Sequence, residues 1–263
     1  MPTIAPVAAA LFQCVALSIL LLLQSNPATA QSEEAQRAAR YCAHYENSVE
    51  LSDDGAILCF DGPIGAELPM ERIEKLHDHG IFVIRSPGGY APQAMQMAEA
   101  LLEKGATVVI HDYCLSACAN YILVATGNTY VLKSSVVAWH GGLKDANCDR
   151  FLREEDQSLF HFYIESHCKD ITLQTLFFQK RGIQNRYIFS PQTTYTRMMV
   201  NTAAKTRGRR SDIFWMWNPQ NYGDHFKDRV VYEQYPVSQF EVDRIMNRFH
   251  LGTPGQVIYD PDL

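Results

Sequence analysis

Three short stretches of the chain hold residue types that acyl-transfer chemistry uses. The first is Ser86-Pro87-Gly88-Gly89, directly after the apolar run Ile81-Phe82-Val83-Ile84. Paired glycines let a backbone approach a ligand closely, with no Cβ in the way. Backbone N–H groups presented there stabilise the oxyanion of a tetrahedral intermediate, so Gly88 and Gly89 are candidate donors. The second is Ser116, within Cys114-Leu115-Ser116-Ala117-Cys118-Ala119. A serine opening a helix among small residues exposes its hydroxyl, and the next N–H, from Ala117, becomes a further oxyanion donor. The third is His140, which follows Val136-Val137-Ala138-Trp139 and precedes Gly141-Gly142. A serine hydroxyl needs a neighbouring base to become a nucleophile, and histidine has the pKa for that work.

Each stretch also has a plainer reading. Ser86 to Gly89 fits an ordinary strand-to-helix turn, Ser116 fits an N-cap, and His140 is one of nine histidines. Cys114 and Cys118 offer a rival thiol nucleophile. In an oxidising space, though, two cysteines one helical turn apart are expected to pair with each other.

The elements that must position these residues follow from the hydrophobic pattern. Ala56 to Phe60 reads as a strand before the turn Asp61-Gly62-Pro63, and Asn47 to Gly55 as turn residues. Leu68 to His79 has the spacing of an amphipathic helix, and Pro92 to Lys104 is a second helical stretch. Ile81–Ile84 and Thr107-Val108-Val109-Ile110 are β-branched runs, the pattern of strands covered on both faces. Cys114 to Val124 reads as a buried helix, with short strands at Thr129–Leu132 and Val136–Trp139. From Arg150 to Lys205 the pattern is mainly helical, with Phe160, Phe162, Tyr163, Leu173, Leu176, Phe177 and Phe178 as expected packing residues. A late strand at Val230–Tyr232 and a last helix over Phe240–Phe249 complete the series. Strands alternating with helices through short connections predict an α/β domain with a mainly parallel sheet.

The chain has 263 residues and a formal net charge of −6, which gives no electrostatic footprint for nucleic acid. The basic run Lys205 to Arg210 reads as a solvated loop. Residues 1–30 read as a signal peptide: Val7 to Leu23 is apolar apart from Gln13 and Ser18, and Ala28-Thr29-Ala30 forms a cleavage pattern. Met1 to Pro6 lacks the usual basic residue, which leaves an uncleaved membrane anchor as the alternative. The expected organisation is then a polar segment over 31–54, the main domain over 55–250 and a tail over 251–263. After cleavage no second apolar span remains, so no stable membrane span is expected. The expected location is periplasmic or secreted. Six cysteines are left beyond the signal, an even number suited to disulfides. Among fifteen possible connectivities, proximity favours Cys42–Cys59, Cys114–Cys118 and Cys148–Cys168. No metal site is expected, because Cys-x-x-x-Cys has no second pair at a finger-like distance.

The order of these features resembles the proteolytic subunit of the Clp proteases, within the Clp-protease/crotonase-like superfamily. That subunit carries a Ser-Pro-Gly-Gly oxyanion loop, a serine beginning a buried helix and a histidine at a similar interval beyond. Here Gly89 to Ser116 spans 27 residues and Ser116 to His140 spans 24. The resemblance covers roughly Ile57 to Gly142. It implies a spiral of strand-strand-helix units with a helical C-terminal part, a Ser–His–Asp hydrolase acting on peptide or protein substrates without a cofactor, and a homo-oligomer. The third member it implies is Asp212, which precedes Trp217-Asn218-Pro219 and Tyr222-Gly223; Asp224, Asp170 and Asp149 are alternatives. The residues around Ser116 differ from those of the cytoplasmic protease, and 150–210 has no match to its handle region. Chaperone-fed proteolysis is therefore not implied. A crotonase-like enzyme acting on acyl-CoA is disfavoured by export. A non-catalytic binding protein that retains the fold is the contrasting expectation, distinguished by a Ser116 hydroxyl out of reach of His140.

Overall fold

The computed structural model describes residues 27–46, 48–65, 68–143, 148, 159–184, 198–199, 201–202, 213–219, 226, 229–251 and 256–260. The expected signal segment up to residue 26, the packing side chains Phe160, Phe162 and Tyr163, and the basic run 205–210 lie outside the described residues. Among the described residues, no helix is long and apolar enough to cross a membrane.

The architecture is α/β, with a mostly parallel mixed sheet of seven strands. Its strands are β1 (Val49–Leu51), β2 (Ile57–Asp61), β3 (Ile81–Ser86), β4 (Thr107–Leu115), β5 (Thr129–Val131), β6 (Val136–Ala138) and β8 (Val230–Tyr232). They lie in the order β1-β2-β3-β4-β5-β8, with β6 also paired to β4. Only β1 runs antiparallel to its neighbour among these pairings. A second, two-stranded sheet joins β7 (Phe214–Trp215) to β9 (Val257–Ile258) in parallel. The helices are α1 (Pro27–Cys42), α2 (Met70–Lys75), α3 (Ala91–Glu103), α4 (Leu159–Lys180) and α5 (Gln239–Arg248), with one π-helical turn at Cys118–Ile122.

Alternation along the central strands sorts their side chains between two buried faces, because successive residues of a strand point to opposite sides. Leu58, Phe60, Phe82, Ile84, Val108 and Ile110 pack with Met97, Ala98 and Leu101 of α3 and with Tyr121 and Ile122. Cys59, Ile81, Val83, Val109 and Tyr130 face the other way, onto Ala35, Ala38, Ala39 and Cys42 of α1. The small side chains of α1 let it sit close to the sheet, and a Cys42–Cys59 disulfide fixes it there. Burying a side chain such as Phe82 contributes about 1.5–3 kcal/mol, so both faces together are what make these apolar runs necessary.

Several expectations are corrected. The 31–54 segment is not separate from the main domain, since α1 and β1 complete its sheet and one of its faces. The 251–263 segment is not a plain tail: Val257 and Ile258 are buried in β9. The helix expected over Leu68–His79 covers only Met70–Lys75, because the His77 N–H turns away to donate to the Gly55 carbonyl at 2.9 Å. Cys114 and Leu115 belong to β4 rather than to a helix, held in the ladder by Val137 and Ala138 of β6. On α4, Phe177 and Phe178 are buried as expected, whereas Leu173 and Leu176 are exposed. The three disulfides are Cys42–Cys59, Cys114–Cys118 and Cys148–Cys168, the pairs that proximity favoured.

Candidate active site

The loop after β3 is shaped by its own serine. Ser86 is fully buried, and its Oγ accepts from the Gly88 N–H at 3.1 Å. The Gly88 carbonyl in turn accepts from Ile64 N–H at 2.8 Å, and Tyr90 N–H donates to the Ile64 carbonyl at 2.9 Å. These bonds bridge Gly89 to Ile64 without using the Gly89 N–H. Both glycines are demanded by the geometry. Gly88 and Gly89 have φ of +90° and +147°, a region side-chain-bearing residues rarely adopt. A Cβ on Gly88 would meet the Leu115 carbonyl oxygen at 2.4 Å and Ser116 Cβ at 2.6 Å; one on Gly89 would meet the Ile64 oxygen at 2.1 Å. The Ser86–Gly89 loop is therefore pressed directly against the Ser116 turn. Of the two glycines expected as oxyanion donors, Gly88 gives its N–H to Ser86, whereas the bonds to Ile64 do not use that of Gly89.

Ser116 sits where β4 ends and the π-helical turn begins. Its φ is +55°, uncommon for a residue with a Cβ. The strain is held from both sides: the Ser116 N–H donates to the Ala138 carbonyl of β6 at 2.9 Å, and its carbonyl accepts from Asn120 N–H at 2.8 Å. The Cys114–Cys118 disulfide spans the same turn. Because β4 and β6 are neighbours in register, with Leu115 opposite Ala138, the residues that follow each strand emerge together. Ser116 Oγ consequently lies 2.5 Å from His140 Nε2. With the ring proton on Nδ1, the hydroxyl donates to Nε2, the arrangement a general base needs.

The His140 side is braced as well. Trp139 exchanges two backbone hydrogen bonds with Trp215, at 2.9 and 2.8 Å, and the Phe214 ring meets the imidazole edge-to-face with centroids 4.9 Å apart. Beyond His140, Asn120 Nδ2 donates to the Gly141 carbonyl at 2.8 Å. Gln174 of α4, only 1% exposed, grips Leu143 through both backbone groups: its Oε1 accepts from Leu143 N–H at 3.1 Å and its Nε2 donates to the carbonyl at 3.0 Å. The same Oε1 accepts from the Tyr121 hydroxyl at 2.6 Å, and burial holds the Tyr121 pKa well above its ordinary value. Neither Asn120 nor Gln174 was expected from sequence. Asn120 did leave a signal, as a lone amide four residues after Ser116 in an otherwise apolar run; Gln174 left none, since its partners are distant in the chain.

A cleft of about 580 Å³ opens beside these groups, lined by Gly89, Ser116, Ala117, Asn120, His140 and Trp215, and on the α4 side by Ser166, His167 and Asp170. Two buried polar atoms of this lining, Asn120 Oδ1 and Trp215 Nε1, have no hydrogen-bond partner among the described residues. Buried polar groups are normally paired, so these two stand out in the cleft wall. Of the carboxylates considered for the third member, Asp170 lines the cleft, while Asp212, Asp149 and Asp224 lie outside the described residues. No family model matches the chain, and no curated protein matches it.

Proposed function

We propose that the chain is an exported serine hydrolase that cleaves acyl bonds, with peptides as its substrates. The observation that carries this reading is the 2.5 Å contact between Ser116 Oγ and His140 Nε2 at the wall of an open cleft. A retained fold with a lapsed site would have no reason to keep that pair in reach beside empty volume.

The chemistry follows from the positions. As Ser116 Oγ forms its bond to the substrate carbonyl carbon, its proton passes to His140 Nε2, and the carbonyl π pair moves onto oxygen. The N–H groups of Gly89 and Ala117 flank the nucleophile and receive that oxyanion. Collapse of the intermediate expels the amine or alcohol, which takes the proton back from His140. Water then repeats the sequence on the acyl-enzyme and frees Ser116. We assign the orienting carboxylate to Asp212, because Phe214, two residues further along the chain, packs its ring against His140. A carboxylate there would fix the tautomer with the proton on Nδ1.

The fold supports the Clp-protease/crotonase-like reading in one respect. β4 pairs with β5 through Val108–Ile110 and with β6 through Tyr113–Leu115, so one strand feeds two neighbours as a spiral requires. The three disulfides favour an oxidising compartment, periplasmic or secreted. The test is turnover of p-nitrophenyl esters and fluorogenic peptide amides by residues 31–263. Ser116→Ala and His140→Ala should each lower kcat/KM by about 10³-fold or more with the thermal midpoint retained. Undiminished turnover in both variants would overturn the assignment.

A further inference from the structure

The cleft carries a charge pattern that the hydrolase reading alone does not explain. Among the described residues its lining includes no lysine or arginine, and Asp170 is the one carboxylate. Elsewhere on and around α4, acidic groups are matched: Glu165 pairs with Lys169 at 2.7 Å, and Glu99 takes both Lys180 and Arg181. Asp170 is the exception. It is half-buried, and among the described residues it makes neither a hydrogen bond nor an ion pair with a lysine or arginine. Partial burial pushes its carboxyl pKa up, against a smaller opposing effect of the neighbouring His167. A carboxylate in that position loses hydration that His167 only partly offsets, and a cation entering the cleft would supply the rest.

Asn120 adds to the same pattern. Its Nδ2 is committed to the Gly141 carbonyl, which fixes the amide orientation and leaves Oδ1 as a buried, unpaired acceptor in the same lining. The unpaired acceptors therefore come from the Asn120 and α4 walls, whereas the donors, the N–H groups of Gly89 and Ala117, flank Ser116. An acyl substrate matches this division when its carbonyl faces the donors and a positively charged group faces the acceptors.

We infer that Asp170 selects substrates bearing a cationic group, a lysine or arginine side chain or a free α-amine, near the bond that Ser116 attacks. The inference rests on the hydrolase reading and names its substrate class. Asp170 thereby acts as a specificity residue on α4.

The experiment is inactivation by diphenyl phosphonates, in which Ser116 Oγ would attack phosphorus and phenol would leave. Four warheads are compared: N-acetyl-lysine, N-acetyl-norleucine, norleucine with a free amine, and N-acetyl-glutamate. At least one cationic probe should react about tenfold faster than N-acetyl-norleucine, and which one does so identifies the source of the charge. That ratio should fall to about one in Asp170→Asn, and Asp170→Lys should favour the glutamate probe. Equal rates for cationic and neutral probes in the wild type would overturn the inference while leaving the hydrolase reading intact. So would an Asp170→Asn loss that is uniform across all four, since Asp170 would then act through His140. Failure of a small neutral fluorophosphonate to label Ser116 would remove the hydrolase reading and the inference with it.

Discussion

Asp112 within β4 and Ser116 just after it both take left-handed backbone, at φ +64° and +55°, and their surroundings are opposites. Asp112 lies where β4 runs ahead of β3: between the pairs Ile84–Ile110 and Ser86–Cys114, β4 spends two more residues than its partner. Its carboxylate turns inward to accept from Arg85 Nη1 at 3.1 Å. Arg85 also donates from Nε and Nη2 to the two oxygens of Asp61, at 3.1 and 2.6 Å, and lies over the Phe249 ring. The hydrogen bonds it donates to Asp61, joined by the Asp112 charge, hold the guanidinium in its charged form more firmly than in water. The pocket beside Asp61 and Arg85 holds only about 10 Å³. Around Ser116 the polar atoms are instead left over, and the cleft is large enough to bring partners to them. Backbone strain by itself thus marks a place where the chain is over-determined. Strain together with open volume and unpaired polar atoms marks the place where we propose that chemistry is performed.

Breaking the contrast on the Ser116 side should give the largest effect. Gly88→Ala puts a Cβ against the Leu115 carbonyl oxygen and Ser116 Cβ, which are backbone-fixed and cannot swing away. The turn must shift, and kcat/KM should fall about 10²-fold, since small misplacements of a nucleophile are that costly. Steady-state kinetics and a melting curve would separate that loss from unfolding. On the Asp112 side the effect should fall on stability instead. Arg85→Met leaves Asp61 and Asp112 facing each other without their cation. The cost should be about 2 kcal/mol by urea titration, below that of a fully enclosed pair because solvent still reaches the edge of the cluster. Turnover per folded molecule should stay within about twofold. The smallest effect should sharpen the comparison. Replacing both Cys114 and Cys118 by alanine opens a loop of only four residues' separation, worth about 2 kcal/mol or less. Because that loop carries Ser116, turnover should drop several-fold, whereas removing Cys148–Cys168 should lower the midpoint without that loss.

The sequence disclosed the parts of this design that are continuous. Ile81–Ile84 and Thr107–Ile110 were recognisable as strands because both their faces are covered, so all but Thr107 at the start of the second run are apolar. Ser116 and His140 were recognisable because their motifs lie at strand ends, where a parallel sheet gathers its chemistry. What was hidden depends on partners far along the chain. β1, β7 and β9 have two or three residues each and acquire their identity only by pairing. The apolar stretch from Cys114 onwards reads as one helix, since nothing local reveals that β6 extends the ladder to Leu115. Leu173 and Leu176 have core-like chemistry yet face outward, because α4 spends its inward positions on Gln174, Phe177 and Phe178. Gln174 in that row is invisible as a functional residue until its grip on Leu143 is seen.

The central claim is that His140 activates Ser116 as a nucleophile. Its most direct test is reaction of the folded protein with a fluorophosphonate, followed by mass spectrometry of the peptide containing residue 116. The account predicts a single phosphonyl group on Ser116, formed rapidly in the wild type, absent in Ser116→Ala and strongly slowed in His140→Ala. An unmodified Ser116 in folded protein, or a modification rate indifferent to His140, would contradict it.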